Sequence, residues 1–193
     1  MADNYLERKM EEHRNGGSRP RAHQPGRLPA GMAAVPFPAR RVLVAEGAAT
    51  LADVARAFVD AGCRVAVTGT AADAANPLVS GGSVRFFPLE NTDFDAVVAN
   101  ITKAWLDIDV VVVPAPLAKA IAPSLCRFRN SCPLLNPYGG RLIVIGADSL
   151  TDVCRTMTGT GFTVTGVANA DALPETAIWL AQRSGSRLDG LII

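Results

Sequence analysis

The stretch RRVLVAEGAATLADVARAFVDAGCRVAVTG, residues 40–69, decides the fold. A short apolar run at Arg41–Ala45 leads through a turn into a helix-length segment at Leu51–Ala61, and a second short apolar run follows at Arg64–Thr68. Two buried strands joined by a helix can only lie parallel, and the crossover between them is right-handed. Outward from this unit the same alternation repeats. Further strands are expected at Val84–Pro88, Asp109–Val113, Arg141–Gly146, Thr163–Val167 and Leu188–Ile193, with helices at Asp93–Leu106, Leu117–Phe128, Ser149–Met157 and Ala172–Gln182. The pattern predicts an α/β, Rossmann-like, doubly wound parallel sheet of about seven strands in the order 3-2-1-4-5-6-7. Its ligand crevice should open at the carboxyl ends of the first and fourth strands.

Before Arg40 the composition changes. Residues 4–14 bring Tyr5, Leu6 and Met10 together on an amphipathic helix, and residues 15–39 carry Gly16, Gly17, Pro20, Pro25, Gly26, Pro29, Gly31, Pro36 and Pro38, which interrupt helix and strand alike. The expected organisation is an N-terminal helix and extended arm over 1–39 and a Rossmann-like domain over 40–193. Residues 1–41 hold 8 Lys or Arg against 4 Asp or Glu, a balance of +4, while residues 42–193 hold 11 against 14, a balance of −3. The arm's arginines and its apolar Leu28, Met32, Val35 and Phe37 therefore suit docking on an acidic neighbour, and a homo- or hetero-oligomer is expected through this arm.

With 193 residues, 49% of them apolar, the chain can bury a full-sized core. Charged residues make up only 19% and the net charge is +1, which excludes an acidic disordered chain and a strongly basic nucleic-acid binder. Cys63, Cys126, Cys132 and Cys154 are too sparse for a disulfide framework, and no CxxC or histidine cluster gives a metal-ligand spacing. The longest apolar runs, such as Val110 to Pro116, are too short for a membrane span, and residues 1–14 lack the apolar core of a signal peptide. A cytoplasmic protein without metal, membrane or nucleic-acid partner is expected.

From Arg41 to Ile193 the chain resembles the short-chain dehydrogenase/reductase family. Residues 40–69 look like that family's first β-α-β unit, and FFPLENTDFDAVVANITKAWLDIDVVV (86–112) looks like its third strand, the next helix and its fourth strand. GGRLIVIGA (139–147) is similar to the fifth strand, GFTVTGVANA (161–170) to the sixth, and LPETAIWLAQRSGSRLDGLII (173–193) to the last helix and strand. The resemblance implies a cofactor seat for NAD or NADP and carbonyl or alcohol chemistry. Laid onto the family's TGxxxGxG turn, the three glycine positions fall on Glu46, Thr50 and Ala52, with Gly47 as a neighbour. Side chains there occupy the space of a diphosphate and Glu46 adds a like charge, so tight dinucleotide binding should be blocked. By resemblance alone, the cofactor-contacting positions are Gly47, Thr70 at the end of the second strand, and Glu90 beside the adenine.

The family's catalytic set is absent. Its Asn-Asn-Ala-Gly after the fourth strand reads Val113, Pro114, Ala115, Pro116, its serine falls on Ala147, with Ser149 two residues away, and no tyrosine or lysine follows Tyr138. A Tyr/Lys pair at YxxxK is what lowers the tyrosine pKa for proton transfer in that family. The one such spacing, Tyr5 to Lys9, lies on the N-terminal helix and reads as coincidence, and Tyr138 sits in a turn. The helices around the fifth strand are also short. The expectation is a degenerate, non-catalytic relative acting as a structural or regulatory subunit, with no catalytic residue and no cofactor. The alternatives are an NAD(P)-dependent oxidoreductase with a rearranged site, or a nucleotide- or small-molecule-binding module.

Overall fold

The computed structural model describes residues 40–89, 93–131, 139–168, 172–182 and 188–193. The arm at 1–39, including Tyr5 and Lys9, as well as Glu90, Cys132, Tyr138 and the turn at 169–171, lie outside the described residues. The elements are β1 (Arg41–Val44), α1 (Ala52–Asp60), β2 (Arg64–Gly69), a 3₁₀ turn (Ala71–Ala75), α2 (Pro77–Ser80), β3 (Arg85–Pro88), α3 (Phe94–Trp105) and β4 (Val110–Pro114). They continue with α4 (Ala115–Ser131), β5 (Gly140–Ile145), α5 (Thr151–Met157), β6 (Phe162–Val167) and α6 (Leu173–Gln182). The strands form a six-stranded sheet in the order β3-β2-β1-β4-β5-β6, and every pairing is parallel. This is the doubly wound arrangement, with its reversal of winding between β1 and β4.

The seventh strand is shorter than the sequence suggests. Leu188–Ile193 joins β6 through one isolated parallel bridge, Gly166 to Ile192. The Gly166 and Ala168 amides donate to the Leu191 and Ile193 carbonyls at 2.8 Å, and the Ile193 amide returns a bond to Gly166 at 3.0 Å. The run thus sits where a seventh strand belongs, beyond β6. Its first half is spent otherwise: Gly190 turns at φ 74, and the Asp189 carboxylate takes the Val164 amide at 2.7 Å, a bond that a ladder carbonyl would accept.

Both faces of the sheet are covered because each strand is apolar on both sides. Leu43, Val111, Val113, Leu142 and Val144 point to the layer made by α3, α4 and α5, where Phe94, Ile101, Ile121, Leu125 and Met157 pack. Val42, Val44, Val110, Val112 and Ile143 point to the opposite layer, against Val54 and Phe58 of α1, Leu78 of α2, and Ala177 and Leu180 of α6. Phe58 and Phe94 are fully buried, each withdrawing enough apolar surface to contribute roughly 3 kcal/mol. The 3₁₀ turn and α2, between β2 and β3, are additions to the expected elements. AADAANP has no apolar period, and Asn76 starts α2 by accepting the Leu78 amide at 2.9 Å, with Pro77 in the first turn where a missing N–H costs nothing.

At the amino edge of the sheet, buried ion pairs tie β1, α3, β4 and α4 together. The Arg41 guanidinium donates to both oxygens of Asp109, at 2.8 and 2.9 Å, and to the Trp105 carbonyl at 3.0 Å. Asp107 is fully buried and pairs with Arg129 at 3.1 Å, while the Arg129 guanidinium also lies 4.8 Å from the centre of the Phe162 ring. Burial works to raise the Asp109 pKa, yet the Arg41 hydrogen bonds outweigh it and hold the carboxyl below its usual range. The opposite, carboxyl edge is left to the site.

Candidate functional site

The crevice at the carboxyl ends of β1, β2 and β4 starts from the turn after β1. Glu46 takes a left-handed backbone, φ 55, which side-chain-bearing residues adopt reluctantly. Its amide donates to the buried Thr68 hydroxyl at 3.1 Å, and its carbonyl accepts the Ala49 and Leu51 amides at 3.0 Å. These bonds hold the turn. The Glu46 carboxylate then accepts the Thr50 hydroxyl at 2.7 Å, so it lies on the approach to α1. Gly47 is buried, and a Cβ on it would stand 2.7 Å from Val67 Cγ1 and 2.9 Å from the Val44 carbonyl oxygen. The glycine lets the turn pack on β2.

The end of β2 supplies the second wall. The Thr70 amide and hydroxyl both donate to Asp73 Oδ2, at 2.6 and 2.8 Å, and the Asp73 amide returns a bond to the Thr70 carbonyl at 3.0 Å. Among the described residues, no donor reaches Asp73 Oδ1. Gly69 makes room for this arrangement, since a Cβ there would meet Asp73 Oδ2 at 2.9 Å. Asn76 Nδ2 donates to the Ala48 carbonyl at 2.9 Å, and the Ala48 amide donates to the Thr68 carbonyl at 3.3 Å, so the two walls are stitched together. Glu90 lies outside the described residues. The structure therefore brings Gly47 and Thr70 to one edge, and adds Asp73, which the sequence marks only as the charge nearest Thr70, and Asn76, which it does not mark.

After β4 there is no loop: α4 starts at Ala115 directly from Pro114. Ala147 is buried in the cluster that holds Val144, Leu150 and Val153, while Ser149 is exposed and its hydroxyl lies 3.3 Å from that of Thr151. Lys119 of α4 reaches Asp152 of α5 at 2.6 Å, and this contact holds the exposed Asp152 carboxyl below its usual range. Of the two helices around β5 that the sequence suggests are short, α5 has only seven residues, about two turns, but α4 runs to 17. Cys63, Cys126 and Cys154 are free thiols, and burial pushes the Cys63 pKa up to about 11, which makes it unreactive. Among the described residues no group of three or more His, Cys, Asp or Glu is placed to hold a metal, and no helix is long and apolar enough to cross a membrane.

A dinucleotide needs free amides and room at the turn after β1. Here the amides of Gly47, Ala48, Ala49, Leu51 and Ala52 already donate to Val44, Thr68, Glu46, Glu46 and Ala49 carbonyls, and the Glu46 carboxylate is bonded to the Thr50 hydroxyl of the same turn. These residues do not fit a diphosphate in that position. The ribose side of the crevice, at Thr70 and Asp73, carries no such obstacle.

No family model matches the chain, and no curated protein matches it. Solved structures do. A short chain dehydrogenase from Burkholderia cenocepacia J2315, in complex with NADP, is 16% identical, with 82% of this chain covering 97% of that one at a TM-score of 0.55. An apo SCOR enzyme from Clostridium thermocellum is 15% identical, with 80% of this chain covering 90% of that one at a TM-score of 0.61. The FolM alternative dihydrofolate reductase 1 from Brucella canis, complexed with NADP, is 15% identical, with 80% covering 91% at a TM-score of 0.52. Together with the parallel 3-2-1-4-5-6 sheet, these likenesses give the chain the fold of the short-chain dehydrogenases.

Proposed function

We propose that the chain is a nucleoside-binding module built on the short-chain dehydrogenase fold, which works by binding and not by hydride transfer. The observation that carries this reading is Asp73, a carboxylate fixed at the carboxyl end of β2 through one oxygen by the Thr70 amide and hydroxyl. In dinucleotide folds an acid about twenty residues beyond the glycine turn meets the ribose hydroxyls. A ribose 2′-hydroxyl donating to Asp73 Oδ1 would make a charge-assisted bond, and the pinned carboxylate gives up little rotamer freedom to form it. Adenosine is the natural probe, and Thr70 and Glu90 stand as further contact positions by resemblance. Against catalysis stand buried Ala147 in place of the family's serine and the missing Tyr/Lys pair.

A second reading is an NAD(P)-dependent oxidoreductase with a rearranged site. The NADP complexes among the similar structures favour it, as does the gathering of Ser149, Thr151 and Lys119 at the carboxyl ends of β4 and β5. The division into an arm over 1–39 and a domain over 40–193, with association through the arm, belongs to either reading. The test is a thermal-shift titration of the whole protein with adenosine, repeated on Asp73→Asn. The proposal expects a saturating rise in melting temperature by linkage, weakened about tenfold or more when one charge-assisted bond is lost. No shift with adenosine on a folded protein would overturn it.

A further inference from the structure

The residues that refuse a diphosphate do so in a particular way: the turn after β1 already contains an anion. Four observations converge on Glu46. Its backbone is held at φ 55 by bonds to Thr68, Ala49 and Leu51, which fixes the point at which the side chain leaves the turn. Its carboxylate is held by the Thr50 hydroxyl at 2.7 Å. The residue before α1, Leu51, offers no side-chain cap of its own. Five amides of the turn, those of Gly47, Ala48, Ala49, Leu51 and Ala52, are spent on backbone carbonyls. A helix start favours negative charge, and here the chain provides it through Asp53 in the first turn and Glu46 in the turn before it.

We infer that Glu46, positioned by Thr50, is the specificity-determining residue of the crevice: a resident anion that admits an uncharged nucleoside and turns away its phosphorylated forms. This rests on the nucleoside-binding reading for the ligand's other half, but the exclusion itself is read separately. Adenosine places no charge at the turn. A dinucleotide places two negative charges there, beside a carboxylate held by the Thr50 hydroxyl, and no cation among the groups bonded to Glu46 offsets them. Thr50 acts through Glu46 and is a positioning residue.

The experiment is a calorimetric titration of the whole protein and of Glu46→Gln, Glu46→Gly and Thr50→Val with NADH, and with adenosine in parallel. Glu46→Gln removes the charge and keeps the shape. Glu46→Gly also relieves the left-handed backbone, so the pair guards against one variant failing to fold. The inference expects NADH affinity to rise about tenfold in Glu46→Gln, the size of one close like-charge contact at a half-buried site, and further in Glu46→Gly. Adenosine affinity should stay within about twofold, because a ligand without charge at the turn gains nothing from the change. In Thr50→Val the freed carboxylate should let NADH gain less than in Glu46→Gln. If NADH affinity is unchanged in both Glu46 variants, Glu46 is no selector and the inference falls. Absent adenosine binding alongside an NADH gain would instead sink the nucleoside reading and leave the exclusion standing.

Discussion

Glu46 holds a left-handed backbone that glycine takes freely and β-branched residues resist, which gives its position a signature in stability as well as in binding. Glu46→Gly is expected to leave the unfolding free energy unchanged or to raise it by up to about 1 kcal/mol, whereas Glu46→Val should cost about 2 kcal/mol. Chemical denaturation of the two variants side by side reads the difference, and equal losses would mean that the backbone at this residue is not left-handed. The charge at the family's first glycine position was legible in the sequence, because a resemblance in register places Glu46 there. Its pinning was not, since the Thr50 hydroxyl reaches the carboxylate only once the turn is folded. Asp73 shows the same limit: it reads as the nearest charge to Thr70, but its double bond to one residue's amide and hydroxyl is a property of the 3₁₀ turn.

Elements held at the sheet's amino edge make a different prediction. Asp109→Asn leaves the half-buried Arg41 guanidinium with only the longer, 3.6 Å contact to Asp107 as an ion pair and should destabilise the protein by about 3 kcal/mol in urea unfolding. Because the folded Asp109 pKa lies below its unfolded value, its contribution is present above the unfolded pKa near 4 and is lost as pH falls through the depressed folded value. The Asn variant should therefore lose less stability than the parent on acidification; an unchanged acid slope would contradict the pairing. At the opposite edge, Gly47→Ala should cost about 1 to 3 kcal/mol, since the new methyl would have to displace Val67 or the Val44 carbonyl. Most elements were readable because each strand is a short apolar run and each helix a separate amphipathic one. α2 and the 3₁₀ turn were not, because AADAANP folds through caps and turn bonds without an apolar period, and the four-residue α2 is too short to show one although its Leu78 is buried. The run at Leu188–Ile193 is apolar enough for a strand, but Asp189 and Gly190 use its first half for a cap and a turn.

For the whole molecule, sheet order followed from the alternation of elements, since right-handed crossovers leave few ways to wind six parallel strands. Function did not follow from it, because one fold hosts many chemistries and the decision sits in a few side chains at the crevice. We propose that residues 1–39, which hold 6 Lys or Arg against 4 Asp or Glu, bind carboxylates on the surface of a second copy. Light scattering on the whole protein should then give a mass above one chain that falls as salt is added. Replacing Arg19, Arg21 and Arg27 together by serine should abolish the salt dependence; a single-chain mass at every salt concentration would remove the arm from the account. The claim that binds fold to function is that the crevice takes a nucleoside and does no hydride transfer with a dinucleotide. It is tested most directly by one calorimetric comparison of adenosine and NADH on the unmodified protein, in the same buffer. The account predicts a saturating isotherm for adenosine and binding at least about tenfold weaker for NADH; NADH binding more tightly than adenosine would contradict it.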